Sequence, residues 1–205
     1  MILAFDTSGP YCAAALLAGD EVRAHRHDDM ARGQAEHLLP MLDEVLAAGG
    51  VAYSDLTALA VCTGPGNFTG IRISVAAARG LGMALGVPVA GVSMLEALAH
   101  NVPGEVLVTL DARRGAIYAQ GFRDGVAVAA PELTDQDSLD LSPGVTVLGF
   151  AAPDGPRVTI APTDVFARIA ATRIADGAPI PRPAPLYIRP ADAALPSEAP
   201  PRMLD

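Results

Sequence analysis

The chain has 205 residues, of which 51% are hydrophobic, and its net charge is −9. This composition excludes a disordered chain, and no apolar run approaches the roughly 20 residues that cross a bilayer. All 14 basic residues are arginine, so few groups can neutralise phosphates and we expect RNA to bind only through a partner. The chain opens on an apolar run without a basic leader, which favours a cytoplasmic protein.

The first elements form a meander that carries an aspartate loop. Alternating and apolar runs predict three strands, over residues 2–5, 11–17 and 21–27. Asp6, Thr7 and Ser8 lie in the loop between the first two strands. A helix is then predicted over residues 36–48. Its apolar arc is wide, and we expect Leu39 and Leu46 to lie outside the stripe that faces its own sheet.

A glycine-rich loop separates a predicted strand, 56–62, from a predicted helix, 70–85. A strand, a glycine turn and a helix N-terminus together favour anion binding, because unpaired N–H groups and the helix dipole converge there. Thr69 is the expected N-cap of the helix, and Gly70 allows another backbone to approach closely. Small residues recur on the helix every four positions, at Ala76, Gly80 and Ala84, which favours close packing of a second helix.

The pattern restarts near residue 103 with a strand, an aspartate loop at Asp111 and a second strand. From residue 87 onward we predict two helices, one that begins at Ser93 and one over residues 163–176. The predicted strands are 87–91, 106–110, 116–122, 126–130, 145–148 and 158–160. This repeat predicts two related domains, 1–102 and 103–189, the second reduced, followed by a proline-containing tail, 190–205. Within the proline-rich end, residues 186–188 are the piece expected to pair or dock.

The candidate chemistry is incomplete on sequence grounds. A P-loop is excluded because the chain has no lysine, and the glycine spacing does not fit a dinucleotide fingerprint. Two aspartate loops could instead grip a nucleotide through a metal, but Ala112, Arg113 and Arg114 replace the glycines that would wrap a phosphate. Asp6 and Asp111 could equally cap turns.

Metal binding and nucleophilic catalysis have weak signals. His25 and His27 share a strand face without a third ligand nearby, so we expect no metal site. Ser93 is better explained as a helix cap than as a nucleophile. Cys12 and Cys62 lie in apolar runs and are expected to be buried and reduced, although a catalytic or paired role stays open.

Five motifs in register resemble the bacterial TsaB (YeaZ) family. They are residues 2–8 (ILAFDTS), 38–42 (LLPML), 64–73 (GPGNFTGIRI), 91–93 (GVS) and 110–118 (LDARRGAIY), with a weaker echo at 185–189 (PLYIR). The resemblance implies an α/β fold of the actin-like, sugar-kinase-like type (ASKHA, ribonuclease-H-like). It also implies partners: a catalytic paralogue, TsaD, and an ATPase, TsaE, that together make threonylcarbamoyladenosine at adenosine 37 of tRNA. The catalytic paralogue carries a metal-binding H-x-x-x-H, and Met94 and Leu98 stand at those positions here.

The leading hypothesis is therefore a non-catalytic scaffold that forms a heterodimer with the paralogue, or a homodimer when alone, without a cofactor of its own. Weak or partner-dependent nucleotide binding stays open, as do a stand-alone actin-fold ATPase or small-molecule kinase and, more weakly, a peptidase. The predicted vestigial nucleotide-loop residues are Asp6, Thr7, Ser8, Gly64, Gly66, Asn67, Thr69, Gly70, Asp111 and Arg113. The predicted interface residues, which could alternatively pack on their own sheet, are Leu39, Met41, Leu46, Arg72, Ala76, Gly80 and Ala84.

Overall fold

A computed structural model describes residues 1–139, 144–150 and 161–189, and these form a mixed α/β structure with two sheets. The strands of the first sheet are Ile2–Asp6 (β1), Tyr11–Ala18 (β2), Glu21–Asp29 (β3), Ala58–Cys62 (β4) and Val89–Val92 (β5). Their order is β3-β2-β1-β4-β5, with β2 antiparallel to β1 and β3, and with β4 parallel to β1 and β5. This order confirms the predicted actin-like fold.

Helices cover both faces of the first sheet. They are Gln34–Ala48 (α1), Phe68–Leu85 (α2) and Thr163–Ala175 (α4), and a shorter helix, Met94–Ala99 (α3), follows β5. On one face, Leu3 and Phe5 pack with apolar residues of α1 and α2. On the other face, Ala4 and Ala60 pack against Phe166 of α4. Since β1 and β4 are buried on both faces, they read as continuous apolar runs.

The second sheet repeats the first in part. Its strands are Glu105–Asp111 (β6), Ala116–Arg123 (β7), Val126–Ala127 (β8), Glu132–Asp135 (β9) and Thr146–Gly149 (β10). β6 pairs antiparallel with β7 and parallel with β10, as β1 pairs with β2 and β4. The second copy of the meander is therefore present. β9 was missed in the sequence, because Glu132–Asp135 is short and half polar.

The predicted elements agree with the structure to within a few residues, but two predictions lie outside its described part. These are the strand 158–160 and the tail 190–205. The boundary at 102–103 stays a prediction, although α4, which follows it in the chain, packs on the first sheet. In the described residues, no helix is both long and apolar enough to span a membrane.

Candidate functional site

The Asp6 loop lies at the carboxyl end of the central strand β1 and is fully covered. Asp6 and Thr7 are inaccessible to solvent, and Ser8 is nearly so. The backbone N–H of Ser8 donates to Asp6 Oδ1 at 2.7 Å. The hydroxyls of Tyr11 and Ser8 donate to Asp6 Oδ2 at 2.8 and 3.1 Å. Protein donors thus occupy both oxygens of the Asp6 carboxyl group, which the sequence suggested as a group that could hold a metal ion.

Burial dominates the electrostatics of this loop. Desolvation raises the pKa of Asp6, although the hydrogen bonds from Ser8 and Tyr11 act in the opposite direction. Burial also raises the pKa of Tyr11, and the neighbouring Asp6 adds to that shift. A carboxyl group whose ionisation is disfavoured by its surroundings is a poor ligand for a cation, because the cation needs the anionic form.

The glycine loop packs directly against the Asp6 loop. The N–H of Asn67 donates to the carbonyl oxygen of Ser8 at 2.6 Å, and the Thr7 hydroxyl donates to the carbonyl oxygen of Gly70 at 2.7 Å. A Cβ on Gly66 would lie 2.5 Å from Ser8 O, and a Cβ on Gly70 would overlap Thr7 O. The close backbone approach expected at Gly70 is confirmed. These glycines are needed because one loop of the chain packs on another.

Asn67, and not Thr69, is the N-cap of α2, so that prediction was wrong. The helix begins one residue before Thr69, and the Asn67 side chain accepts a hydrogen bond from the N–H of Gly70 at 2.9 Å. Asparagine caps as well as serine or threonine, so residue type alone could not place the start. Two N–H groups at this helix end, those of Asn67 and Gly70, donate to protein acceptors that a phosphate would have to displace.

The Asp111 loop has the same hydrogen bond between aspartate and backbone, but its backbone conformation differs and it is exposed. The N–H of Arg113 donates to Asp111 Oδ1 at 2.7 Å, as Ser8 does in the first loop. Arg113, Arg114 and Gly115 then adopt left-handed backbone conformations, with φ of 64, 56 and 81°. Among the described residues, no recorded hydrogen bond joins this loop to the Asp6 loop. The structure therefore brings together the candidates of the first half, while Asp111 and Arg113 belong to a separate turn.

The nucleophile candidates have structural roles. Cys62 is buried beneath the Asp6 loop, with its Sγ 3.6 Å from the Ser8 hydroxyl, and burial raises its pKa well above the ordinary range. The thiolate is the reactive form of cysteine, so this thiol is suited to packing. Ser93 caps α3 by accepting a hydrogen bond from the N–H of Glu96 at 3.0 Å. In the part of the chain that the structure describes, no three histidine, cysteine or acidic residues are grouped as metal ligands.

Comparison with known proteins places this geometry in a family. Residues 28–161, more than half of the chain, match the family model "TsaD: tRNA N6-adenosine threonylcarbamoyltransferase". The Escherichia coli tRNA threonylcarbamoyladenosine biosynthesis protein TsaB is 36% identical over 69% of this chain and 67% of its own length. The chain belongs to the TsaB (YeaZ) family.

Two further relatives have the same shape or sequence pattern. YeaZ from Pseudomonas aeruginosa has a solved structure that superimposes with a TM-score of 0.75 at 27% identity, covering 91% of this chain and 98% of that one. An uncharacterized Mycobacterium leprae protein is 37% identical over 73% of this chain, which spans only 43% of that protein's length. The TsaB-type fold therefore accounts for nearly all of the chain.

Two positions in this TsaB-family chain were expected to replace the metal ligands of a catalytic relative. Met94 is buried in the core between the first sheet and α4, and Leu98 packs against the same core and against the apolar cluster that includes Val106. Both side chains thus serve packing on α3. Neither a thioether nor an isobutyl group here can supply the imidazole that a borderline metal prefers.

The predicted interface residues divide into two groups. Leu39, at 48% exposure, and a row on α2 are exposed; the row is Arg72, Ala76, Gly80 and Ala84. Leu46 is buried in the core, so its prediction on the outer side of α1 was wrong, and Met41, which was predicted as an interface residue, is buried there too. The buried positions of α1 are Leu38 and the adjacent pairs 41–42 and 45–46, which lie on one face of a helix with 3.6 residues per turn.

The sequence missed three exposed apolar residues near this row. Met83 is 86% exposed, Phe68 is 49% exposed and Tyr187 is 48% exposed. The prediction that residues 186–188 dock is confirmed, because the N–H of Leu186 donates to the carbonyl oxygen of Thr63 at 2.8 Å. Phe68 lies one turn before Arg72, and Met83 is the sequence neighbour of Ala84, so both could have been found by extending the row on α2. Tyr187 carried no such signal, since only the folded chain brings it to α2.

Proposed function

We propose that this protein acts in threonylcarbamoyladenosine biosynthesis in tRNA as a non-catalytic scaffold that pairs with a TsaD-type paralogue. The observation that carries the proposal is the exposed row on α2, Arg72, Ala76, Gly80 and Ala84, with Met83 beside it. A Cβ built on Gly80 meets nothing within 4 Å, so the fold of this chain does not require glycine there. A helix from another chain would, because small residues permit close approach of helix axes.

The buried state of the Asp6 loop supports the non-catalytic part of the proposal. Both oxygens of its carboxyl group accept hydrogen bonds from protein donors, and the N–H groups of Asn67 and Gly70 donate to Ser8 and to the Asn67 side chain. The acidic net charge favours the view that tRNA is held by the other members of the complex. We infer that the TsaE-type ATPase is the third member and that this chain self-associates through α2 when its paralogue is absent.

The test is a reconstitution with the catalytic paralogue and the ATPase of the same organism. We expect threonylcarbamoyl transfer to tRNA to need this chain, and Gly80→Leu to abolish both paralogue binding and transfer. Gly80→Ala, which adds only a methyl group, is the matched control and should retain both. Full activity of the paralogue and ATPase without this chain would overturn the proposal.

A kinase or ATPase is the second candidate, since Asp6 and the glycine loop lie together at the carboxyl ends of β1 and β4. Open α/β sheets bind ligands at that edge. Calorimetry with ATP and Mg²⁺ on the isolated chain separates the two functions. Turnover that disappears in Asp6→Ala would favour the kinase, while no heat of binding would favour the scaffold.

A further inference from the structure

The second turn of α2 carries an arginine that stacks on one aromatic ring of its own helix and lies beside a second ring from a distant part of the chain. The guanidinium carbon of Arg72 lies 3.6 Å from the centroid of the Phe68 ring and 5.6 Å from that of Tyr187. The two ring centroids are 5.2 Å apart. Phe68 and Arg72 share a helix face because they are four residues apart. We call these three residues the arginine clamp.

The clamp is held rigidly from the side of Tyr187. The Arg72 Nε–H donates to the Tyr187 hydroxyl at 2.7 Å. Tyr187 is itself anchored on both sides, by the Leu186 hydrogen bond to Thr63 and by the packing of Ile188 in an apolar cluster. An arginine whose stem and Nε are fixed in this way has lost its rotamer entropy before any ligand arrives.

The outer edge of the guanidinium is available. Among the residues that the structure describes, the recorded hydrogen bond of Arg72 uses Nε, and Nη1 and Nη2 have no protein acceptor. These two groups match the fork of a carboxylate. The surroundings add to this preference, because α2 contains two arginines and no acidic residue on a chain of net charge −9, and its positive dipole end is within one turn.

We propose that the arginine clamp binds a carboxylate side chain of the partner that covers α2, so that an aspartate or glutamate of the paralogue pairs with the outer edge of the Arg72 guanidinium, beside the rings of Phe68 and Tyr187. This inference rests on the proposed function and adds the chemistry at one end of the interface. Arg72 begins the exposed row that continues through Ala76 and Gly80, so a helix laid along that row ends at the clamp. Arginine and tyrosine are also the residue types that dominate binding energy at interfaces.

The experiment measures the dissociation constant of the paralogue for the wild type and for four variants by calorimetry. We expect Arg72→Gln to weaken binding at least about tenfold and Arg72→Lys to recover only part of the loss, since lysine lacks the planar fork. Tyr187→Phe should weaken binding less than Arg72→Gln, since it removes only the acceptor that orients Nε. Arg114→Gln, which removes an exposed charge in the Asp111 loop, should bind as the wild type.

A double-mutant cycle then identifies the carboxylate. Each acidic residue on the paralogue's interface is changed to its amide, and one of them should cause no further loss when combined with Arg72→Gln. No such residue, or unchanged binding by Arg72→Gln with its melting temperature intact, would overturn the clamp. So would a loss of self-association with paralogue binding unchanged, because the carboxylate would then belong to a second copy. Failure of the wild type to bind the paralogue would overturn the proposed function instead.

Discussion

Asp6 and Asp111 each lie at the end of the first strand of a sheet, and each accepts a hydrogen bond at 2.7 Å from the backbone N–H two residues later. Around that shared hydrogen bond everything else differs. Asp6 has two further protein donors and no solvent contact, whereas Asp111 is exposed and is followed by two arginines with positive φ. The two loops therefore share the hydrogen bond of their aspartate, and what packs around that aspartate decides the role of each loop.

The covering loops explain the difference. In the first half, the N–H of Asn67 bonds to Ser8, two residues after the aspartate. In the second half, the corresponding approach comes from the N–H of Phe150, which bonds to Thr109, two residues before the aspartate. The covering loop of the second half thus contacts strand β6 and leaves the Asp111 turn exposed. A loop sealed in this way stabilises the fold, while an uncovered loop contributes little.

Gly70→Ala tests the packing of the glycine loop on the Asp6 loop, and it is expected to have the largest effect on stability. A Cβ at this position would overlap the backbone oxygen of Thr7, which cannot move without disturbing β1. We expect a loss of about 3 kcal/mol in the free energy of unfolding, the upper end for overpacked sites. Urea denaturation measures it.

Gly80→Ala provides the control within the same helix. The added Cβ meets nothing within 4 Å. The substitution should raise the free energy of unfolding by up to about 1 kcal/mol, because alanine is a better helix former than glycine. Equal effects of the two substitutions would mean that the loop–loop contact is not tight.

The second test removes each aspartate in turn. Asp6→Ala leaves the Tyr11 hydroxyl and the Ser8 N–H buried without their acceptor, which should cost about 2 kcal/mol. Asp111→Ala leaves only the N–H of Arg113, which water can reach, and should change the free energy of unfolding by less than about 0.5 kcal/mol. A comparable loss in both variants would show that the shared hydrogen bond, and not its burial, carries the stability.

The parts of the fold that could be predicted are those that depend on residues close together in the sequence. Strands β1 to β3, the N-cap at Ser93 and the glycine turn depend on residues within a few positions of one another, and they were predicted. The side on which Leu46 lies depends on how α1 crosses the sheet, and it was predicted wrongly. The packing of α4 on the first sheet joins the two ends of the chain, so no local pattern could indicate it.

The candidate site shows the same limit. Its members in the first half were all named from the sequence, because glycine, aspartate and a helix start are local signals. The hydrogen bonds that occupy these residues were not predicted, since the Tyr11 hydroxyl reaches Asp6 from β2 and Asn67 donates to Ser8 across the loop–loop contact only in the folded chain. The arginine clamp could not be found for the same reason, as Tyr187 reaches Arg72 only in the folded chain.

The last prediction is the pH dependence of stability, and it concerns the ionisation of Asp6. Burial raises its pKa above the ordinary value of 3.8, so above that pH the unfolded chain loses the Asp6 proton while the folded chain keeps it. The folded state then binds more protons, and the free energy of unfolding falls as the pH rises from about 3.8 to the raised pKa. Asp6→Asn cannot titrate, so the wild type should lose stability relative to this variant over that window.

Urea denaturation of both proteins from pH 4 to pH 8 measures this difference, with Asp111→Asn as the matched substitution in the exposed loop. A wild type that gains stability relative to Asp6→Asn as the pH rises would reverse the sign. It would mean that the donors from Ser8 and Tyr11 outweigh desolvation and hold the carboxylate as an anion. The first loop would then keep the charge that a cation needs, and the contrast with Asp111 would lie in access to the carboxylate alone.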